Sequence, residues 1–401
     1  MINTKANPFL GYSLKELTGR GAGHTALEIT QQPKLWLATW ATVAKQQRSL
    51  EIFFHKIFDK ENLDIILTGA GTSAFIGNIL EGPFQKNTRI HTRAVASTDL
   101  VSHPDSYFHP TQPSLLISFA RSGNSPESLA AVDLANRCCK EIYHLIITCN
   151  PDGKLAINAP DNQSYVFLLP PEADDQGLAM TGSFTCMLLA GLLLSRLSYL
   201  HELKKQVERL SEYGEKILSR YISPLQEIAR LDFKRAVFLG SGPLQGASRE
   251  SQLKLQELTD GKVICKHDSF LGFRHGPKVV LDNSTLLVYL FSNKAYVHQY
   301  ETDLVFEINA REKSLFSIGV SESRKEGLAV DLQIVLSNDD EKIDEEFLAV
   351  CCVLPAQILG FLKSLQLGLE PDMPSVSGSI ARVVEGVTIY PFTSDAQTIE
   401  V

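Results

Sequence analysis

The stretch "LDIILTGAGTSAFIG" (residues 63–77) decides how this chain is read. Ile65, Ile66 and Leu67 form a short unbroken apolar run, the pattern of a strand buried on both faces. Gly69 and Gly71 break the run, and Thr72-Ser73 open a helix. The same layout returns at "RAVFLGSGPLQGAS" (residues 235–248), with Gly240 and Gly242 in the matching places. A repeat with so large a period predicts a duplicated domain rather than a solenoid. At 401 residues the chain is also too long for one ordinary core.

Working outward, strand signals lie at 90–97, 114–120, 142–150 and 163–170 in the first half. In the second half they lie at 285–292, 315–320 and 332–337. Helices intervene, among them about 126–139, the apolar 183–200 and the closing 346–366. Near the start, Leu35, Leu37, Trp40 and Val43 fall at helical spacing. Short apolar strands alternating with helices predict an α/β fold: two tandem domains, each a mostly parallel sheet flanked by helices on both faces. The expected division is a helical N-terminal extension over 1–48, a first domain over 49–200 and a helical connector over 201–231. A second domain over 232–370 and a tail over 371–401 closing over the site complete it.

Composition removes several function classes. A formal charge of −8 argues against a nucleic-acid partner. No stretch reads as a membrane span, the best candidate being the short run 187–194, and no apolar signal region opens the chain, so a cytoplasmic protein without a membrane partner is expected. The seven cysteines include no C-x-x-C pair and read as buried thiols, not as metal ligands.

The glycine loops narrow the ligand. Gly69 to Ala74 meets the loose dinucleotide pattern, but the first acid beyond the second strand is Asp99, too late to hold a ribose. The second loop breaks the pattern, and no phosphate-loop lysine motif occurs. A phosphate monoester suits the residues better. Gly71, Thr72 and Ser73 stand where one helix begins, and Ser122, Gly123 and Ser125 where another does. Helix starts offer free amide hydrogens to an anion. The plain alternative is helix capping by Ser and Thr.

Taken together, "GAGTSA" and "FARSGNSPES" (residues 119–128) resemble the sugar isomerase (SIS) domain, here in tandem. "ESQLKLQELTDGKV" (250–263) and "FLGFRHGPKVVLD" (270–282) are similar to the isomerase part of glucosamine-6-phosphate synthase. With "MTGSFT" (180–185) and "SGSIARVVEGVTIYPF" (377–392), the whole of about 45–395 resembles the AgaS-type galactosamine-6-phosphate deaminase/isomerases. No catalytic Cys follows Met1, so the synthase's ammonia-donating half is not expected.

The resemblance implies an enzyme acting on a hexosamine 6-phosphate without cofactor or metal. Glu257 is then the base that moves a proton between C2 and C1, with Lys254 on the same helix face. His275 opens the sugar ring, reaching the site from a neighbouring subunit, so a homodimer is implied. Arg382 takes the place of a C-terminal active-site lysine. Thr181 and Ser183 line the sugar or cap the apolar helix. Where the synthase pattern begins with Ser this chain has Ala120, and Arg121 stands at a Gln position, so a guanidinium replaces a lost hydroxyl contact. Two alternatives remain at this point: aldose–ketose isomerisation without deamination, and a non-catalytic sugar-phosphate sensor.

Overall fold

The computed structural model describes residues 9–160, 162–311, 314–384 and 386–393. The first half runs α1 (Leu14–Thr18), α2 (Gly23–Phe58), β1 (Asp64–Thr68), α3 (Thr72–Thr88), β2 (His91–Ala94), α4 (Ser97–Ser102) and α5 (Pro104–Tyr107). It continues through β3 (Ser114–Ala120), α6 (Pro126–Cys138), β4 (Ile142–Thr148), α7 (Lys154–Ile157), β5 (Ser164–Leu168) and α8 (Gly182–Leu194). Two amphipathic helices, α9 (Lys204–Arg220) and α10 (Ile222–Arg230), lead to the second half. There follow β6 (Arg235–Gly240), α11 (Pro243–Leu258), β7 (Ile264–Ser269), α12 (Phe270–Phe273), β8 (Thr285–Leu290) and α13 (Ala295–Arg311). The half closes with β9 (Phe316–Ser321), β10 (Leu332–Val335), α14 (Glu345–Cys352) and α15 (Leu354–Gln366).

The two sheets are parallel throughout and share one topology. Their strand orders are β2-β1-β3-β4-β5 and β10-β9-β8-β6-β7, the same order read from opposite edges. The central strands β1, β3, β4 and β8 are buried at every residue, which is why their sequences show no alternation. One apolar core runs through both halves, from Leu67 and Ile117 on the first sheet to Phe238 and Val288 on the second. The α8 helix is accordingly apolar on all sides, and every one of its residues is buried.

Several expectations need correction. The boundary at residue 48 falls inside α2, which continues unbroken to Phe58. On that helix Trp36, not Leu37, faces the core: Trp36 is fully buried and donates Nε1–H to Thr185 Oγ1 (3.0 Å), while Leu37 is exposed. Strand β7 carries no strand signal in the sequence, because "ICKHDS" is a half-exposed edge strand rich in polar residues. The longest apolar helical stretch is not 187–194 but Glu345–Gln366, whose mean hydropathy is 1.8. It is buried inside the protein up to Leu365, as a core helix is.

Candidate functional site

β1 and β3 are hydrogen-bonded neighbours, so the loops that follow them open at the same edge of the first sheet. In the first loop Gly71 caps α3 at φ +56°, a conformation that favours glycine, and a Cβ there would meet nothing within 4 Å. Thr72 and Ser73 form the buried first turn. In the second loop Gly123 lies at φ +66° against Gly153, and a Cβ on Gly153 would come within 2.5 Å of the Ser122 carbonyl oxygen. Ser122 Oγ accepts the Asn124 amide hydrogen (3.3 Å), and Ser125 stands at the N-cap of α6 without making a side-chain cap bond. Among the described residues the Ser125 hydroxyl makes no cap bond, at a helix start where an anion is stabilised.

Arg121 is buried in this loop. Its Nη1 donates to the carbonyls of Gly177 (3.1 Å) and Leu178 (3.2 Å), and Nη2 to the carbonyl of Arg382 (2.5 Å). A guanidinium has five N–H groups, so Nε–H and the second hydrogen of Nη2 have no protein acceptor among the described residues. Burial and the nearby Arg382 pull its pKa below the usual arginine value, partly offset by Asp175.

The second half reaches this edge through α11. Gly246 lets α11 cross α3 closely: a Cβ there would lie 2.5 Å from Ile79 Cγ1. Arg249 stacks over the Phe75 ring at 4.4 Å and donates to Asn78 Oδ1 (2.9 Å). Further along the helix, Lys254 is wholly buried, and its Nζ meets Thr72 Oγ1 at 3.2 Å and Glu257 Oε2 at 2.6 Å. The hydroxyl loop of the first domain and the candidate base of the second are therefore joined through one lysine.

A third acid belongs to this group. Glu250, one turn before Lys254, is fully buried, with Oε1 3.5 Å from Lys254 Nζ. Burial pushes its carboxyl up to about 8, with Glu257 adding to the rise and Lys254 opposing it. Burial alone would lower the Lys254 ammonium, but Glu250 and Glu257 overcome that and hold it above the ordinary lysine value. The arrangement that satisfies both is a charged Lys254–Glu257 pair beside a neutral Glu250. Glu257 keeps part of its side chain exposed, as a group that must meet a ligand does. Sequence reasoning did not single out Glu250, although the spacing Glu250, Lys254, Glu257 (i, i+4, i+7) puts all three on one helix face.

The remaining predicted residues make other contacts. Thr181 and Ser183 do not face open space: both are fully buried, and their hydroxyls and amides are bound by the carboxylate of Asp175, which caps α8. Neither side chain caps α8 itself: both hydroxyls donate to Asp175, and the cap is its carboxylate. Arg382 spends its guanidinium on Asp174 Oδ1 (2.8 Å) and the Asp175 carbonyl (2.9 Å from Nε). His275 is exposed, after α12, and its ring makes no hydrogen bond to Lys254, Glu250 or Glu257. Among the described residues no group of three or more His, Cys, Asp or Glu is placed to hold a metal ion. A cleft of about 490 Å³ lined by Phe54, Phe58, Leu197 and Tyr199 lies apart from all of these groups.

Known proteins are similar to this chain in sequence and fold. The SIS domain pattern matches residues 57–196. The D-galactosamine-6-phosphate deaminase AgaS of Shewanella sp. (strain ANA-3) is 39% identical over 402 residues, covering 98% of this chain and 100% of the relative. The AgaS protein of Escherichia coli O157:H7 is 41% identical over 371 residues, covering 92% and 96%. The crystal structure of tagatose-6-phosphate ketose/aldose isomerase from Escherichia coli superposes with a TM-score of 0.85 at 39% identity, covering 92% of this chain and 97% of that one. The chain belongs to the AgaS family of SIS-domain proteins.

Proposed function

We propose that this protein is an amino-sugar-phosphate deaminase/isomerase that converts galactosamine 6-phosphate and water to tagatose 6-phosphate and ammonia. The observation that carries the reading is the Thr72–Lys254–Glu257 chain of contacts, which sets an anion-binding helix start beside a partly exposed carboxylate. The names of its relatives support the substrate.

The phosphate group is held by the helix starts of α3 and α6, with the hydroxyls of Thr72, Ser73, Ser122 and Ser125 and the free N–H groups of Arg121. His275 transfers the proton that opens the pyranose. Its exposure on a turn flanked by Leu271 and Val279, both exposed, suits a place in a homodimer where it reaches the partner's site. Glu257 removes the proton from C2 of the open-chain amino aldehyde and returns it to C1. Lys254 beside it stabilises the ionised carboxylate and the enolate oxygen as charge develops there. As C1 takes that proton, O1 gains a proton and the C2 amine gives one up, so the product is an imine at C2 beside a hydroxymethyl group at C1. Water adds to it, the C–N bond breaks, and ammonia leaves with a ketone at C2. Seven free cysteines fit the reducing cytoplasm as the place of work.

The test is ammonia release from galactosamine 6-phosphate and glucosamine 6-phosphate, measured side by side with ketose phosphate formed. Equal amounts of ammonia and tagatose 6-phosphate are expected from the galacto substrate. Aldose–ketose interconversion without ammonia would replace this reading with plain isomerisation, and binding without turnover would make the protein a sensor.

A further inference from the structure

The segment Asp174–Leu178, between β5 and α8, is gripped from two directions, and it in turn grips Arg121. From α2, the buried Glu28 accepts the amide hydrogens of Gln176 (2.5 Å) and Gly177 (3.1 Å) through Oε1. From the tail, Arg382 holds the side chain of Asp174 and the carbonyl of Asp175. The Leu178 amide donates to the Asp372 carbonyl (2.9 Å), and the Asp372 carboxylate caps α2 through the amides of His24 and Thr25. The 177–178 peptide is thus held at both ends, its N–H by Asp372 and its C=O by Arg121. The fit is close: a Cβ on Gly177 would stand 2.9 Å from Thr25 Oγ1 and 3.0 Å from Glu28 Oε2.

All three carbonyls that receive Arg121 therefore belong to this joint or to the tail, and none to its own loop. We propose that Glu28 and Arg382 are positioning residues for Arg121, and that the 174–178 segment is the joint through which the C-terminal tail sets the phosphate cradle. The inference rests on the reading of the Arg121 loop as that cradle. Arg382 then acts through the polypeptide and not on the sugar. Burial, with Asp175 and Asp372 adding, pushes the Glu28 carboxyl up to about 8, toward the neutral form. Glutamine is its closest substitute in shape and charge.

The experiment is a double-mutant cycle read by calorimetric titration with inorganic phosphate, and by KM for galactosamine 6-phosphate. Glu28→Ala and Arg382→Ala each raise the phosphate Kd about tenfold, the scale of a misaligned hydrogen bond to a charged group. KM moves with Kd, and kcat falls by a smaller factor. Glu28→Gln restores phosphate affinity. In an Arg121→Ala background neither Glu28→Ala nor Arg382→Ala weakens phosphate binding further. Additive losses in that background, or a Glu28→Gln loss as deep as that of Glu28→Ala, would overturn the proposal. If Glu28→Ala fails to fold, the Arg382 arm carries the same cycle, since that side chain is partly exposed. Phosphate titration needs no turnover, so a wrong sugar leaves the test standing. A wild-type protein that ignores phosphate removes the cradle reading and this inference together.

Discussion

The two sheets have one topology but opposite uses for the same loops. After β3, Ser125 stands at a helix start where its hydroxyl makes no cap bond among the described residues, and Gly71-Thr72-Ser73 present donors after β1. After β8, the matching loop is consumed from within. The Ser292 amide donates to Glu301 (2.9 Å), the Ser292 hydroxyl to Glu345, and the Asn293 amide group to Glu322 (2.7 Å). After β6, Pro243 and Leu244 replace Thr72 and Ser73, removing one amide hydrogen and both hydroxyls. Three buried carboxylates thus take the donors that a phosphate would take. The difference teaches that the fold supplies the place for an anion, and local side chains decide whether its donors are free. On the proposed reading the second half gives up the anion and supplies α11, with its charged face, to the first.

The largest effect expected from breaking this division comes at the contact between the halves. Lys254→Met leaves Glu257 without its cation partner, and should cost about 3–5 kcal/mol of stability along with turnover, read by denaturant melts and ammonia release. Next comes a matched pair of serines. Ser125→Ala should raise KM about tenfold. Ser292→Ala, in the loop after β8, should leave KM where it is and lower stability by about 1–2 kcal/mol. Equal KM effects at both positions would break the comparison.

Acidity supplies a smaller effect. Glu28 and Glu250 both have carboxyls pushed up to about 8, so the folded chain holds protons that the unfolded chain releases from about 4.5 upward. Stability should therefore fall as pH rises from about 4.5 to 8 and level off above. Glu28→Gln should flatten that slope in urea midpoints taken across the range, and an unchanged slope would count against it. The smallest effect belongs to the connector: Arg230→Ala, at an exposed pair with Glu227, should shift stability by less than about 0.5 kcal/mol in the same assay.

What the sequence made legible follows burial. β1, β3 and β8 could be read because a strand buried on both faces is apolar nearly throughout. β7 could not, because an edge strand half in solvent tolerates Lys266, His267 and Asp268. On α2, Leu35 and Val43 are buried as expected, but Trp36 takes the inward place expected of Leu37, since both are apolar and only packing chooses between them. At the site, Lys254 and Glu257 came from a motif and a helix spacing. The acceptors of Arg121 were illegible: they lie 56, 57 and 261 residues away, brought in by the chain's path and not by any local pattern. Asp175, which binds Thr181 and Ser183, precedes its helix by a loop with no capping signature.

The central claim is that the first domain holds the phosphate while a carboxylate of the second moves the proton. Glu257→Gln tests it directly, assayed in deuterium oxide with galactosamine 6-phosphate and, separately, by phosphate titration. The account predicts wild-type phosphate affinity, with solvent deuterium incorporation and ammonia release both reduced by about 10²–10⁴-fold. Ammonia release at the wild-type rate would contradict it.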